Sequence, residues 1–129
     1  MPDVNRGDRP LSPFMIGPYY RPQLTSMTSI INRLAGIALL GSAVLVVWWF
    51  LAAASSPEYF AFADAVITSW IGDLVMALSA WALWYHALAG LRHLYWDSGR
   101  GLEIETAEKL GIAVIIASVV LTILTLIIV

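Results

Sequence analysis

Three long apolar stretches, separated by short polar connections, dominate the pattern of this sequence. Residues 34–54 and 110–129 contain no acidic or basic side chain, and residues 74–91 are uncharged apart from His86. A helix of about 20 apolar residues covers the roughly 30 Å hydrocarbon core of a bilayer. The pattern therefore predicts an all-α membrane protein. Its three predicted transmembrane helices span about residues 30–54, 67–93 and 107–129.

Turn-forming residues mark the ends of these helices. Ser55-Ser56-Pro57 is predicted to end the first helix, and Ser98-Gly99-Arg100-Gly101 to break the chain after the second. The acidic side chains expected at the amino end of the third helix are Glu103, Glu105 and Glu108.

The basic residues predict the orientation in the membrane. They lie in the amino-terminal segment and in the second connection, whereas the first connection, residues 55–73, carries none. The positive-inside rule then places the amino terminus in the cytoplasm and the carboxyl terminus outside. Residues 1–29 are interpreted as a cytoplasmic segment with the amphipathic start of helix one. This segment has no signal-peptide h-region, so we expect the first apolar helix to be an uncleaved anchor. The basic side chains concerned are Arg6, Arg9, Arg21, Arg33, Arg92, Arg100 and Lys109.

Composition supports this reading and narrows the chemistry. Hydrophobic residues make up 60% of the chain and charged residues 12%, against about half and a quarter in soluble domains. The chain has no cysteine, which excludes disulfides, thiolate metal sites in this chain and covalent attachment of c-type haem. The net charge of −2 gives no reason to expect nucleic acid.

The two histidines are the candidate chemistry. His86 lies deep in an apolar segment, and His93 follows one heptad later, so both project from one helix face about 10 Å apart. An ionisable side chain inside a membrane is read as functional by default, and a neutral imidazole suggests haem iron. A histidine bonded to a neighbouring helix remains the alternative. If His86 binds iron, Gly90 would leave space for a flat ligand, and Arg92 with His93 could meet its propionates. The sixth iron ligand would then come from another chain.

Ser29 and Arg33 form a second candidate site. They lie one helical turn apart on one face at the start of helix one, where water meets hydrocarbon. A hydroxyl and a guanidinium there could hold the carbonyl of an amphiphile or a carboxylate such as a haem propionate. An arginine that only snorkels to the interface is the alternative.

Four segments in this order resemble the cytochrome b membrane-anchor family of succinate dehydrogenase, respiratory complex II. The resemblance covers nearly the whole chain and is specific in combination. Its segments are Arg-Pro-Leu-Ser-Pro at 9–13, Tyr-Arg-Pro-Gln-Leu-Thr-Ser at 20–26, Ser-Ile-x-x-Arg-x-x-Gly at 29–36 and His-x3-Gly-x-Arg-His-x3-Asp at 86–97.

The resemblance implies a three-helix part of a hetero-oligomeric bundle in the bacterial inner membrane. A second anchor subunit would supply the other axial histidine of a shared b-type haem, and iron–sulfur and flavoprotein subunits would dock on the cytoplasmic face. By position, His86 would be the axial ligand of the haem iron, with Arg92 and His93 at the haem edge. Ser29 and Arg33 would line the ubiquinone pocket, with Arg33 also near the propionates. Many relatives have histidine where this chain has Asn32.

The resemblance also implies a mechanism. Succinate would be oxidised in the flavoprotein, and electrons would pass through iron–sulfur clusters to ubiquinone held by Arg33 and Ser29. Asp97 is a weak candidate for a water-linked proton path. The favoured interpretation is a solvated or interface carboxylate. A haem-free structural anchor of a related fumarate reductase is the main alternative. A small transporter is disfavoured, because the polar side chains in the uncharged stretch 110–129 are only Ser118, Thr122 and Thr125.

Overall fold

The computed structural model describes residues 20–129, and within them the chain forms α-helices and no strand. The helices are α1 (Leu24–Ser55), α2 (Pro57–Ile67), α3 (Trp70–Asp97) and α4 (Ile104–Ile128). Helices α1, α3 and α4 are long and apolar enough to cross a membrane, which confirms the predicted all-α membrane class. The expectations for Arg6, Arg9 and the segment at 9–13 lie outside the described residues.

The ends of the membrane helices differ from the predicted spans by a few residues. Helix α1 begins at Leu24, within the segment predicted to hold the start of helix one, and Gln23 and Ser26 cap its first turn reciprocally. The backbone N–H of Gln23 donates to Ser26 Oγ at 3.0 Å, and that hydroxyl donates to the backbone carbonyl of Gln23 at 2.8 Å. Residues 67–69, predicted as the start of the second span, belong instead to the end of α2 and a turn, and α3 begins at Trp70.

Helix α2 in the first connection was not predicted. The Ser56 hydroxyl caps it by accepting from the Tyr59 amide at 3.1 Å. The end of α1 holds α2 through two indoles: Trp48 Nε1 donates to Tyr59 Oη at 2.7 Å, and Trp49 Nε1 donates to Asp64 Oδ1 at 3.1 Å. Trp48 and Trp49 therefore both attach α2 to the end of α1.

The three membrane helices form one bundle in which α3 contacts both α1 and α4. Small side chains let the helices approach closely, and polar side chains bond across them. Ser42 Oγ donates to Ser79 Oγ at 2.7 Å between α1 and α3, and Trp84 Nε1 donates to Thr125 Oγ1 at 2.9 Å between α3 and α4. The buried apolar core comprises Ala35, Ala82, Tyr85, Ala89 and Val114.

A tight turn joins α3 to α4 at the end of the bundle where α1 begins. Gly99 and Gly101 have φ of 76° and 68°, a region that residues with a side chain rarely adopt. A Cβ on Gly101 would also collide with the ring of Tyr95. Trp96 Nε1 donates to the Gly101 carbonyl at 3.0 Å and fixes the turn. The predicted break at residues 98–101 is confirmed.

Candidate functional site

His86 lies on the outer surface of the bundle, where α3 crosses α1. Its ring is exposed, and its Nδ1 lies 3.1 Å from the backbone carbonyl oxygen of Asn32. A carbonyl oxygen can only accept, so this hydrogen bond requires the proton on Nδ1. The contact therefore favours the tautomer whose Nε2 carries a free lone pair.

Gly36 makes this approach possible. A Cβ at that position would lie 3.0 Å from Cε1 of His86 and 3.5 Å from its Nδ1. Gly36 follows Asn32 by one helical turn, so the missing side chain opens the helix surface next to the Asn32 carbonyl. The His86 imidazole thus contacts the backbone of α1 at Asn32 and Gly36.

His93 shares the surface of His86, as its heptad spacing on a continuous helix requires. Its ring is exposed, and its Nδ1 lies 2.6 Å from the carbonyl oxygen of Ala89 in the same helix. Its ring also meets the edge of Trp96, with centroids 5.2 Å apart. His93 is therefore oriented by its own helix, whereas His86 is oriented by α1.

Arg92 does not share that surface. It is 5% exposed, and six residues of α-helix rotate it about 120° from His86. Both terminal nitrogens of its guanidinium lie 3.4 Å from Thr28 Oγ1, and the guanidinium carbon stacks 4.7 Å from the centroid of the Trp96 ring. On the α4 side, a Cβ at Gly111 would come within 3.3 Å of it. The predicted haem-edge role of Arg92 is not tested by this geometry, but helices of this chain enclose the side chain.

Ser29 and Arg33 lie on α1 one turn apart, and Gly36 follows on nearly the same face. Ser29 is half-buried and Arg33 is exposed. Ser29 and Arg33 therefore lie next to the segment of α1 that the His86 ring contacts. They are closer than that segment to the end of the bundle that carries the α3–α4 turn. The helices bring Ser29, Arg33, His86 and His93 to one side of the bundle and leave Arg92 in its interior.

Two contributors to the site carry little signal in the sequence. One is the Asn32 backbone carbonyl, because any residue type supplies that acceptor. The Asn32 side-chain oxygen is itself buried without a hydrogen-bond partner in the described part of the chain. The other is Tyr85, which is fully buried and whose hydroxyl donates to the Thr28 carbonyl at 3.1 Å. A phenol in an apolar helix usually has such a partner, so the presence of Tyr85 in the sequence indicates a buried hydrogen bond but not its acceptor.

The donor set fits an incomplete metal site. Residues 20–129 contain no cluster of three or more histidine, cysteine or acidic side chains that could hold a metal ion. His86 and His93 both have Nδ1 against a backbone carbonyl, but they project from one face of one helix about 10 Å apart, so only one of them can bind a given iron. A haem with two axial histidines would need its second imidazole from a different polypeptide.

Comparisons with known proteins agree on one family. The family model described as "Succinate dehydrogenase/Fumarate reductase transmembrane subunit" matches residues 5–125. The chain is 55% identical to the succinate dehydrogenase cytochrome b556 subunit of Paracoccus denitrificans over 128 residues, which cover 99% of this chain and 97% of that one. It is 35% identical to the cytochrome b556 subunit of Rickettsia bellii, with 90% and 89% covered. It is 31% identical to the cytochrome b560 subunit of Marchantia polymorpha, with 93% and 90% covered.

Proposed function

Because this chain belongs to the transmembrane-subunit family of succinate dehydrogenases and fumarate reductases, we propose that it holds one side of a shared b-type haem and part of a ubiquinone-reduction site. The second axial histidine would come from another anchor subunit. Succinate oxidation would take place in a flavoprotein partner, and an iron–sulfur partner would carry the electrons to this membrane site.

The hydrogen bond between His86 Nδ1 and the Asn32 carbonyl carries the haem proposal. Metal-bound histidines commonly donate their other ring N–H to a carbonyl or carboxylate, which fixes the tautomer and the ring orientation. His86 has this arrangement on an exposed surface, inside a membrane helix without acidic neighbours in its apolar stretch. Haem bound there would accept and return single electrons.

Space for a flat group supports the same proposal. Gly90 follows His86 by one turn on nearly the same face, and a Cβ built on it would meet nothing within 4 Å. A planar ligand held by His86 could therefore lie close to the backbone of α3. His93, exposed at the next turn, is placed to meet the polar edge of such a ligand. The haem-edge role of Arg92 stays a prediction, because its guanidinium lies inside the bundle against Thr28 and Trp96.

Ser29 and Arg33 would bind the quinone head group. The exposed guanidinium of Arg33 can orient a quinone carbonyl and stabilise the negative charge that develops on its oxygen during reduction. The Ser29 hydroxyl can donate a hydrogen bond to the same head group. Arg33 is one turn from Gly36, so it could also approach a propionate of haem held by His86. Protons would come mainly from partner chains, with exposed Asp97 a lesser candidate.

The charge distribution supports a cytoplasmic amino terminus in a bacterial inner membrane. Arg100 and Lys109 flank the end of the bundle where α1 begins, together with Arg21. The connection at the other end, which contains α2, carries acidic side chains and no basic one. The redox site would then face the cytoplasm, and the iron–sulfur and flavoprotein subunits would dock there.

The test is haem content in the intact complex, purified with its co-isolating subunits. We expect His86→Ala to lose haem in a pyridine haemochrome assay. His93→Ala, which removes only a proposed contact at the haem edge and no iron ligand, should retain it. An unaltered haem spectrum in His86→Ala would remove this residue as a ligand. A wild-type complex without haem would favour the structural anchor of a fumarate reductase instead.

A further inference from the structure

We propose that Tyr85 is a positioning residue for this redox site, a role that rests on the proposed function. Tyr85 is fully buried inside the bundle. Its hydroxyl bonds to the Thr28 carbonyl and not to the side chain of His86, Ser29 or Arg33. It holds α1 in one register against α3. That register presents the Asn32 carbonyl to His86 and Ser29 to the quinone.

Two adjacent side chains of α3 bond to consecutive turns of α1. The Tyr85 hydroxyl donates to the Thr28 carbonyl at 3.1 Å, and His86 Nδ1 lies 3.1 Å from the Asn32 carbonyl. The two acceptors are four residues apart, a rise of about 6 Å along α1. Tyr85 and His86 therefore hold α1 at two neighbouring points. If α1 slid along α3 or rotated against it, the hydrogen bonds to the Thr28 and Asn32 carbonyls would lengthen.

Thr28 is the point at which α1 is held. It is 1% exposed, its carbonyl accepts from Tyr85, and its hydroxyl oxygen faces both terminal nitrogens of Arg92. The next residue is Ser29, and Asn32 lies one turn further. A displacement of Thr28 is thus transmitted through rigid helix to the proposed quinone ligand and to the acceptor of the proposed haem ligand.

The contact between Tyr85 and Thr28 lies in a dry interior, where hydrogen bonds are stronger than in water. Deleting the phenol oxygen leaves no buried acceptor without a partner, so the loss is that of one hydrogen bond between helices. The helical bond to the Thr28 carbonyl remains without Tyr85, so the helix itself survives. What is lost is the fixed relation between α1 and α3.

The experiment uses the purified intact complex carrying Tyr85→Phe, which deletes one oxygen. The control is Tyr59→Phe, which deletes the hydroxyl that joins α2 to Trp48 at the other end of the bundle. We measure the EPR g-values of the oxidised haem, its midpoint potential, and KM and kcat with ubiquinone. We expect Tyr85→Phe to shift the g-values and the potential and to raise KM about threefold to tenfold, with a smaller change in kcat. Tyr59→Phe should change none of these.

The outcomes separate this inference from the proposed function. Unchanged g-values, potential and KM in an assembled Tyr85→Phe complex would overturn the positioning role, even if His86→Ala loses haem. A His86→Ala complex that keeps its haem would overturn the proposed function itself. If Tyr85→Phe does not assemble, incorporation of 3-fluorotyrosine at position 85 decides, because it keeps the hydroxyl and its Thr28 acceptor and changes only the strength of the donor. It should shift the same quantities. Failure of both variants to assemble would also overturn the proposal, since the role would then be one of assembly.

Discussion

Replacing Gly36 with alanine tests the contact that orients His86. The new methyl group would lie 3.0 Å from Cε1 of the ring, whereas carbon atoms pack best at about 3.5–4.0 Å. The ring must therefore move a few tenths of an ångström away from α1. Its Nδ1, now 3.1 Å from the Asn32 carbonyl, would move beyond the roughly 3.2 Å upper end of a good hydrogen bond.

Losing that hydrogen bond should weaken haem binding. A neutral hydrogen bond contributes about 0.5–1.5 kcal/mol, which corresponds to a factor of roughly twofold to tenfold in affinity. The assay is the rate at which haem leaves the purified complex for an excess of apomyoglobin. We expect Gly36→Ala to release haem faster by this factor and to shift the EPR signal of the oxidised haem.

The matched control is Gly41→Ala on the same helix. A Cβ at Gly41 would meet no atom of residues 20–129 within 4 Å, so the change adds the same methyl group in open space. Both variants also gain about 1 kcal/mol of helix propensity over glycine, and this effect cancels in the comparison. Equal haem release and equal EPR spectra from Gly36→Ala and Gly41→Ala would refute the proposed orientation of His86 by α1.

Three further changes probe other parts of the account. Ser29→Ala should raise the KM for ubiquinone about fivefold and leave the haem spectrum intact, and loss of haem with normal turnover would contradict the assignment. Gly101→Ala should destabilise the chain by about 1–3 kcal/mol, seen as a lower denaturation midpoint, because it forces alanine to φ of 68° and against Tyr95; an unchanged midpoint would contradict this. Lys109→Ala should shift the midpoint little, because its 2.7 Å ion pair with Glu105 is largely exposed and contributes under about 0.5 kcal/mol; a large drop would count against this view.

The membrane spans could be predicted because hydrophobicity alone selects them. The break at residues 98–101 could also be predicted, because the sequence has two glycines there. Both glycines adopt positive φ in the structure. Helix α2 was missed because an eleven-residue segment with acidic side chains is too short for a span and resembles a polar connection. Its attachment depends on the Trp48 and Trp49 indoles, whose hydrogen-bond partners cannot be read from a hydropathy pattern.

The candidate site was only partly predictable for similar reasons. The shared face of His86 and His93 follows from helical spacing, which the sequence contains. The same arithmetic turns Arg92 away from that face, and its side chain is buried in the bundle, while its role at the haem edge stays a prediction. The acceptor for His86 is a backbone carbonyl, and access to it depends on the small size of Gly36. Such a contact between helices becomes visible only when their register is known.

A density map of the intact complex tests the central claim most directly. The account predicts a porphyrin against the α1–α3 surface, with its iron coordinated by Nε2 of His86 and by an imidazole from a neighbouring subunit. Nδ1 should remain bonded to the Asn32 carbonyl. A map in which the His86 ring contacts only protein and lipid would contradict the account.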